Sequence, residues 1–411
     1  MNHLAIVFPG QGSQFTGMGR RWYDAHQSVR ERFDQASEIV GYSLEELCFR
    51  GDAAELTRPK HAQVALLVLG YAMYEELTTE RKVPVHAMAG HSLGEITALA
   101  AAGAFSFEDA VRLVKVRGEA MDACATATDT GMIAVVKMPA ATVEGCVAEF
   151  NADGHDVQVA NFNAERQTVL SGTKADITAM TPFLEERGAK VARLNVAGAF
   201  HSSYMSGAVA PYVEAIGSIE CSAPSVPVFS TVTGSPLTSP EAIRDALAVQ
   251  LTSPVRWSDV VSGLLAEGVR LWLEVGPKEV LSKLISGVSG SGAAYGLDER
   301  TGEALSALDD FIEARRNEPG LVGLCLGAAA ATRNRNFDQA AYSDGVITPY
   351  RALQKLSGVD EDELTLAQKQ EAVLLLRRIM ITKEVPVEEQ QDRITTILSR
   401  TGNVDLAGAL A

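Results

Sequence analysis

The chain is poor in cysteine and poor in positive charge, and each shortage closes a class of function. Its 411 residues hold five cysteines, Cys48, Cys124, Cys146, Cys221 and Cys325, scattered with no CxxC pair. Disulfide frameworks and cysteine-based zinc sites need paired or clustered thiols, so neither is expected, and a reducing cytoplasm fits this usage. Lysine and arginine total 36 against 52 aspartates and glutamates, a formal net charge of −16. A phosphate backbone attracts a positive field, so nucleic acid is not the main partner expected. Long apolar runs are also missing. The stretch GLVGLCLGAAAA (320–331) is too short to span a bilayer, and no membrane role is expected. The N-terminus, MNHLAIVFPGQG, has neither a charged leader nor a long apolar segment, so a signal peptide is not expected. The glycine-rich GQGSQ lacks the GK[ST] of a phosphate loop. No internal repeat is visible.

What is there is an alternation of strand and helix patterns. HLAIVF (3–8) reads as a buried strand that ends in the loop PGQGSQ. Residues 18–40 are helical in pattern, and QVALLVLGYAMYEEL (63–77) is an apolar helix. VHAMAG (85–90) is a short strand, LGEITALAAAG a helix ended by Gly103, and FEDAVRLVKVRGEAMDA (107–123) an amphipathic helix. The texture changes over residues 130–197, which read strand–helix–strand–strand–helix–strand, the pattern of a ferredoxin-like insert. Alternation then resumes, with VPVFSTV (226–232) and VRLWLEVGP (269–277) as strands. The glycine- and serine-rich SGVSGSGAAYG (286–296) marks a boundary, and the rest is helix-patterned without a strand signal. The expected fold is therefore α/β: a parallel-sheet, α/β-hydrolase-like core (1–129 and 198–300), an inserted ferredoxin-like α+β subdomain (130–197), and a helical C-terminal extension (301–411).

One motif carries chemistry. GHSLG, residues 90–94, matches G-x-S-x-G, in which a strand turns sharply into a helix and presents the serine at the tip. Glycines on both sides relieve clashes that side chains would cause, and the following helix aims its N-terminal N–H groups at a developing oxyanion. Alone, the pattern fits an ordinary tight strand-to-helix turn equally well. A serine nucleophile needs a base. Of seven histidines, His91 adjoins Ser92, but an elbow points adjacent side chains apart. His201, in GAFHSSYM, sits in a turn leading into a helix and is the best candidate.

At this point the chain resembles a family. FPGQGSQ, GHSLGE, the helix containing Arg117, ANFNAERQTVLSG, GAFHSSYM, SPVRW and EVGP occur in the order seen in malonyl-CoA:acyl-carrier-protein transacylases, over residues 3–290. The resemblance implies Ser92 as the nucleophile that carries the acyl group and His201 as its base, then as the acid for the leaving thiol. It implies that Gln250 supplies the carbonyl that orients the histidine, and that the backbone N–H groups of Gln11 and Leu93 form the oxyanion hole. Arg117 would hold the free carboxylate of malonyl in a two-toothed pair that lysine cannot reproduce, although on sequence alone it reads as a solvated helix arginine. Gln63 and Asn163 match positions lining the acyl pocket. Phe200 matches the aromatic of malonyl-selective members, where one added methylene is discriminated by about 1–3 kcal/mol. No cofactor or metal is implied. The partners implied are malonyl-CoA and an acyl carrier protein or carrier domain of a megasynthase. Lys190 and Arg193 are candidates for a basic patch facing an acidic carrier. A monomer is expected by family likeness.

The extension beyond residue 300 departs from single-domain members. It looks like tails on stand-alone transacylases of hybrid polyketide–peptide assembly lines, which implies polyketide or lipopeptide synthesis ahead of fatty-acid synthesis. The tail either docks a megasynthase or covers the catalytic domain. Other readings compete. GHSLG suits an α/β-hydrolase or thioesterase, which would call for an acidic triad member between serine and histidine and has no use for Arg117. An editing acyl hydrolase on the same fold tends to lack that arginine. A non-catalytic docking module would not need Ser92, His201 and Gln11 intact.

Overall fold

The hexapeptide HLAIVF forms the strand around which the first part of the chain is organised. The structure, a computed structural model, describes residues 2–317, 319–359, 361–403 and 406. Among these residues the strands are β1 (His3–Phe8), β2 (Val85–Gly90), β3 (Thr130–Val136), β4 (Val157–Ala164), β5 (Gln167–Thr173), β6 (Lys190–Arg193), β7 (Val228–Phe229), β8 (Pro236–Leu237), β9 (Val269–Glu274) and β10 (Ala293–Gly296). Six strands make one sheet in the order β10-β9-β1-β2-β7-β8, parallel throughout except between β7 and β8. Strand β1 is paired on both edges, and Leu4, Ala5, Ile6 and Val7 are wholly buried. A strand covered on both faces reads as a continuous apolar run, which is why no alternation shows in its sequence. Helix Pro59–Glu80 is similarly enclosed, with buried residues all around its axis from Ala62 to Met73.

The remaining four strands form an antiparallel sheet in the order β4-β5-β3-β6. Helices Ala140–Ala152 and Lys174–Glu185 connect β3 to β4 and β5 to β6. This is the ferredoxin-like arrangement expected from the sequence. Its own core gathers Ile133, Val135, Val143, Phe150, Leu170, Ile177 and Met180. Strand β6 lies at the edge, with Lys190 and Arg193 exposed at its two ends.

Three local readings needed correction. The helical pattern over 18–40 is two helices, Arg20–Ala25 and Gln27–Val40, because His26 between them is extended at φ −120° and ψ 129°. VPVFSTV yields only the two-residue β7, since the Thr231 N–H leaves the ladder for the carboxylate of Glu95. The glycine-rich stretch near 290 contains β10, an edge strand parallel to β9. Four residues, Ala-Ala-Tyr-Gly, on a sheet edge carry too little apolar patterning to announce a strand.

The chain divides into two compact units, Asn2–Leu308 and Asp309–Ala411. The division falls inside helix Thr301–Asn317 rather than at the glycine-rich stretch. The second unit is helical over its described residues. It contains Leu321–Ala331, Gln339–Tyr342, a π-helical turn Ser343–Ile347, Thr348–Leu356, Leu366–Thr382 and Val387–Arg400. Thr365 and Gln368 form a capping box at the start of Leu366–Thr382. Leu321, Cys325, Leu353, Ala372, Leu376, Ile379 and Met380 form its buried core. All five cysteines are free. No helix of the described residues is long and apolar enough to cross a membrane.

Candidate active site

Strand β2 ends at Gly90 and helix Leu93–Ala101 begins three residues later, so His91 and Ser92 form the whole turn. Ser92 adopts φ 54° and ψ −102°, a conformation that costs a side-chain-bearing residue of order 1–3 kcal/mol. The turn closes only because its flanks are glycines. A Cβ on Gly90 would overlap the backbone of Gly94, and one on Gly94 would overlap the carbonyl of Phe8. His201 is also at positive φ, 55°.

The two strained residues meet. Ser92 Oγ and His201 Nε2 are 2.7 Å apart, and His201 Nδ1 is 3.0 Å from the backbone carbonyl of Gln250. A carbonyl only accepts, so Nδ1 carries the ring proton and Nε2 is left to accept from the serine. Arg117 settles the other side of the hydroxyl. Its Nη2 donates to Ser92 Oγ at 3.0 Å, so the serine proton has to point at the histidine. Burial first, then the charge of Arg117, pushes the histidine down to about 3. It is therefore a neutral imidazole at ordinary pH.

Arg117 is the unusual group here. It is 1 % exposed, donates from Nη1 to Gln63 Oε1 at 2.7 Å, and from Nη2 to Gln250 Oε1 at 2.9 Å. Its guanidinium stands over the ring of Tyr212, 5.8 Å from the centroid. Its Nε finds no acceptor, and the carboxylate whose charge acts on it, Glu95, is held on the far side of the Gln250 amide. Burying a charge is costly, and burial pushes this guanidinium below its usual range against the opposing pull of Tyr212 and Glu95.

Ser92, His201 and Arg117 open onto a cleft of about 690 Å³. Gln11, Leu93, Asn163 and Phe200 also line it, with Met121, Met132 and Val196 adding apolar wall. Leu93 is the first residue of its helix, so its N–H has no acceptor within that helix. Gln63 is the exception among the expected pocket residues. It is wholly buried and absent from the wall, because its carbonyl end is taken by Arg117 and its amide points at Met121 Sδ, 3.2 Å away. Asn163 faces the cleft with its Oδ1 2.9 Å from His91 Nε2, so the histidine beside the serine serves an amide, not the hydroxyl.

Two charged residues near the site escaped the sequence reading. Glu95 lies three residues after Ser92, wholly buried, and burial pushes its carboxyl up against the opposing pull of hydrogen bonds from Thr231 and Gln250. A glutamate inside the apolar run LGEITALAA was a readable signal. Lys278, at φ 65°, reaches the carbonyls of Gly12 and Gln14, 3.3 Å from each, and so ties the GQGSQ loop to the far wall. No pattern in sequence marks that contact. Glu274, from EVGP, accepts the N–H groups of Val280, Leu281 and Ser282 and fixes the start of the helix that forms part of the cleft.

A serine–histidine pair at the end of a parallel α/β sheet, beside an antiparallel insert, defines an acyl-transfer type of site. Residues 5–293 match the acyl transferase domain, and the chain belongs to that family. It is 32 % identical over 397 residues to a malonyl CoA-acyl carrier protein transacylase of Bacillus subtilis, covering 95 % of this chain and 99 % of that one. The polyketide biosynthesis malonyl CoA-acyl carrier protein transacylase PksC of Bacillus subtilis (strain 168) is 39 % identical over 284 residues, 69 % of this chain and 96 % of that one. Among solved structures, FabD from Acinetobacter baumannii superimposes with a TM-score of 0.72 at 30 % identity, covering 76 % and 99 % of the two chains. A type II polyketide malonyl-transacylase solved with its acyl-carrier protein, PlMCAT:AntF, gives 0.72 at 32 % identity, covering 75 % and 100 %.

Proposed function

We propose that the protein moves malonyl from malonyl-CoA to the phosphopantetheine thiol of an acyl carrier protein, through an ester on Ser92. The observation that carries this reading is Arg117: a buried guanidinium, within hydrogen-bond reach of the serine hydroxyl, with amides and a hydroxyl for neighbours and no carboxylate paired to it. The free carboxylate of malonyl supplies the missing partner and sets the thioester carbonyl beside Ser92 Oγ.

The chemistry follows from the hydrogen bonds. Ser92 Oγ attacks the thioester carbonyl while its proton passes to His201 Nε2. The Gln250 carbonyl holds the Nδ1 proton and steadies the imidazolium. The backbone N–H groups of Gln11 and Leu93 receive the oxyanion. The C–S bond breaks, the CoA sulfur takes the proton from His201, and malonyl remains as an ester. The carrier's thiol then gives its proton to His201 and its sulfur attacks the ester; the C–Oγ bond breaks, Ser92 Oγ takes the proton back from His201, and malonyl leaves as the carrier's thioester. The histidine leans on a carbonyl rather than on a carboxylate, which is unlike the acidic triad that a hydrolase reading calls for.

Pathway is a finer matter. The B. subtilis transacylase aligned over 95 % of this chain has a counterpart to the helical extension, and PksC carries a polyketide name. We infer polyketide or lipopeptide synthesis ahead of fatty-acid synthesis, and the PksC name supports the polyketide part of that reading. The test is intact-mass spectrometry after brief mixing with malonyl-, methylmalonyl- or acetyl-CoA, alongside Ser92→Ala. A malonyl adduct that is lost in the variant is the expected result. Malonate release without an adduct turns the reading to an editing hydrolase.

A further inference from the structure

The side-chain amide of Gln250 stands between two parts of the site and has two unlike ends. Its Oε1 accepts from Arg117 Nη2 at 2.9 Å. Its Nε2 faces Glu95 Oε2 at 3.0 Å and the Ser92 carbonyl at 3.3 Å. An amide can be turned over at little cost unless its neighbours distinguish oxygen from nitrogen. Here they do. Arg117 can only donate, and the Ser92 carbonyl can only accept. Glu95 Oε2 accepts in either protonation state, because the Thr231 N–H (2.9 Å) and the Thr231 hydroxyl also point at that atom.

We propose that Glu95 is the positioning residue that locks the Gln250 amide, and through it aims Arg117 at the acyl carboxylate. It touches neither substrate nor the reacting atoms. It sits in the first turn of the helix that follows Ser92, so one rigid element carries both the serine and the acceptor that orders the amide. The backbone of Gln250 meanwhile orients His201. One residue therefore serves the base through its carbonyl and the carboxylate holder through its side chain, and Glu95 governs only the second. Its Oε1 is buried without a partner, so its environment satisfies one carboxyl oxygen and leaves the other bare.

The inference rests on the malonyl reading, and it makes a separable prediction. Loss of the acceptor releases the amide and loosens Arg117, which matters for acyl groups that carry a carboxylate and not for those without one. In Glu95→Met the rate of self-acylation by malonyl-CoA is expected to fall about tenfold or more, since roughly 1 Å of misplacement costs up to a hundredfold. The acetyl-CoA rate should hold or rise. Glu95→Gln still presents an oxygen to Thr231 and Gln250 and should keep most of the malonyl rate. Should Glu95→Met fail to fold, Thr231→Val removes one donor to Glu95 and is expected to lower the malonyl-to-acetyl ratio in the same direction by a smaller factor. Equal loss with both acyl donors in folded protein, or Glu95→Gln as impaired as Glu95→Met, overturns the inference. A wild-type protein that forms no malonyl ester overturns the malonyl reading instead.

Discussion

Arg117 Nη2 lies 3.0 Å from Ser92 Oγ, so the buried cation donates to the serine hydroxyl. Two consequences follow. The contact fixes the direction of the serine proton toward His201. It must also slacken when a carboxylate takes the guanidinium, which frees the oxygen lone pair as the substrate arrives.

Arg117→Ala and Arg117→Lys should therefore change selectivity rather than simply inactivate. Truncating one member of a buried, hydrogen-bonded charge pair costs about 2–5 kcal/mol, and kcat/KM for malonyl-CoA should drop by well over tenfold. The value for acetyl-CoA should stay level or rise, because the buried charge is gone. Lysine should not rescue, having no planar fork. Parallel losses with both donors would assign Arg117 to folding alone.

The same charge shapes the pH profile. Burial and Arg117 hold His201 at about 3 in the free protein. A base acts in its neutral form, so kcat/KM should remain flat as pH falls through the ordinary histidine value of about 6.5, and its acid limb should lie well below that. A malonyl carboxylate cancels the Arg117 charge and lets the histidine pKa rise. The acid limb of kcat for malonyl-CoA should then sit at higher pH than that of kcat/KM, and the two should coincide for acetyl-CoA. Stopped-flow acylation across pH reads both. A kcat/KM limb near 6.5 would mean that neither burial nor the cation depresses the base.

Much of this site was legible because its parts lie in short, rule-bound stretches. GHSLG states a turn whose glycines have a steric reason, and the insert showed in the strand–helix–strand–strand–helix–strand order of residues 130–197. Gln63, Asn163 and Gln250 were named, but which atom each offers was not readable. Amide orientation depends on neighbours brought from 54 to 158 residues away in sequence. Strand β10 and the break at His26 were missed because a four-residue AAYG strand and one extended residue leave no periodic trace. Glu95 was visible as a charge in an apolar helix, yet its purpose depends on Thr231 and Gln250, which only the fold assembles.

Glycines give a direct test of the turn. Gly90→Ala drives a Cβ into the backbone of Gly94, and backbone cannot step aside as a side chain tip can. The variant should lose about 3 kcal/mol or more, or fail to fold. Gly145→Ala is the counterpart. It lies in helix Ala140–Ala152 with open space where its Cβ would go, so the gain in helix propensity should raise stability by about 0.5–1 kcal/mol. Chemical denaturation of both variants checks the pair. A mild effect at Gly90 would mean that the turn has more freedom than its packing implies.

The helical extension has its own internal fastening. Lys383 is buried, and its Nζ donates to the carbonyls of Ala329 at 2.7 Å and Thr332 at 2.9 Å, the open end of helix Leu321–Ala331. Helix-end carbonyls have no partner within the helix, so the ammonium both satisfies them and complements the negative end of the helix dipole. Lys383→Met keeps the apolar stem and removes the donor, stranding two carbonyls at about 1–3 kcal/mol each. Hydrogen exchange should speed up across 321–331 and 366–382, whereas malonyl loading on Ser92 should be unchanged, because the residues of the cleft all lie before residue 308. If loading falls together with protection of the extension, the extension supports the acyl site directly, and the unit from 309 onward belongs to the catalytic machinery.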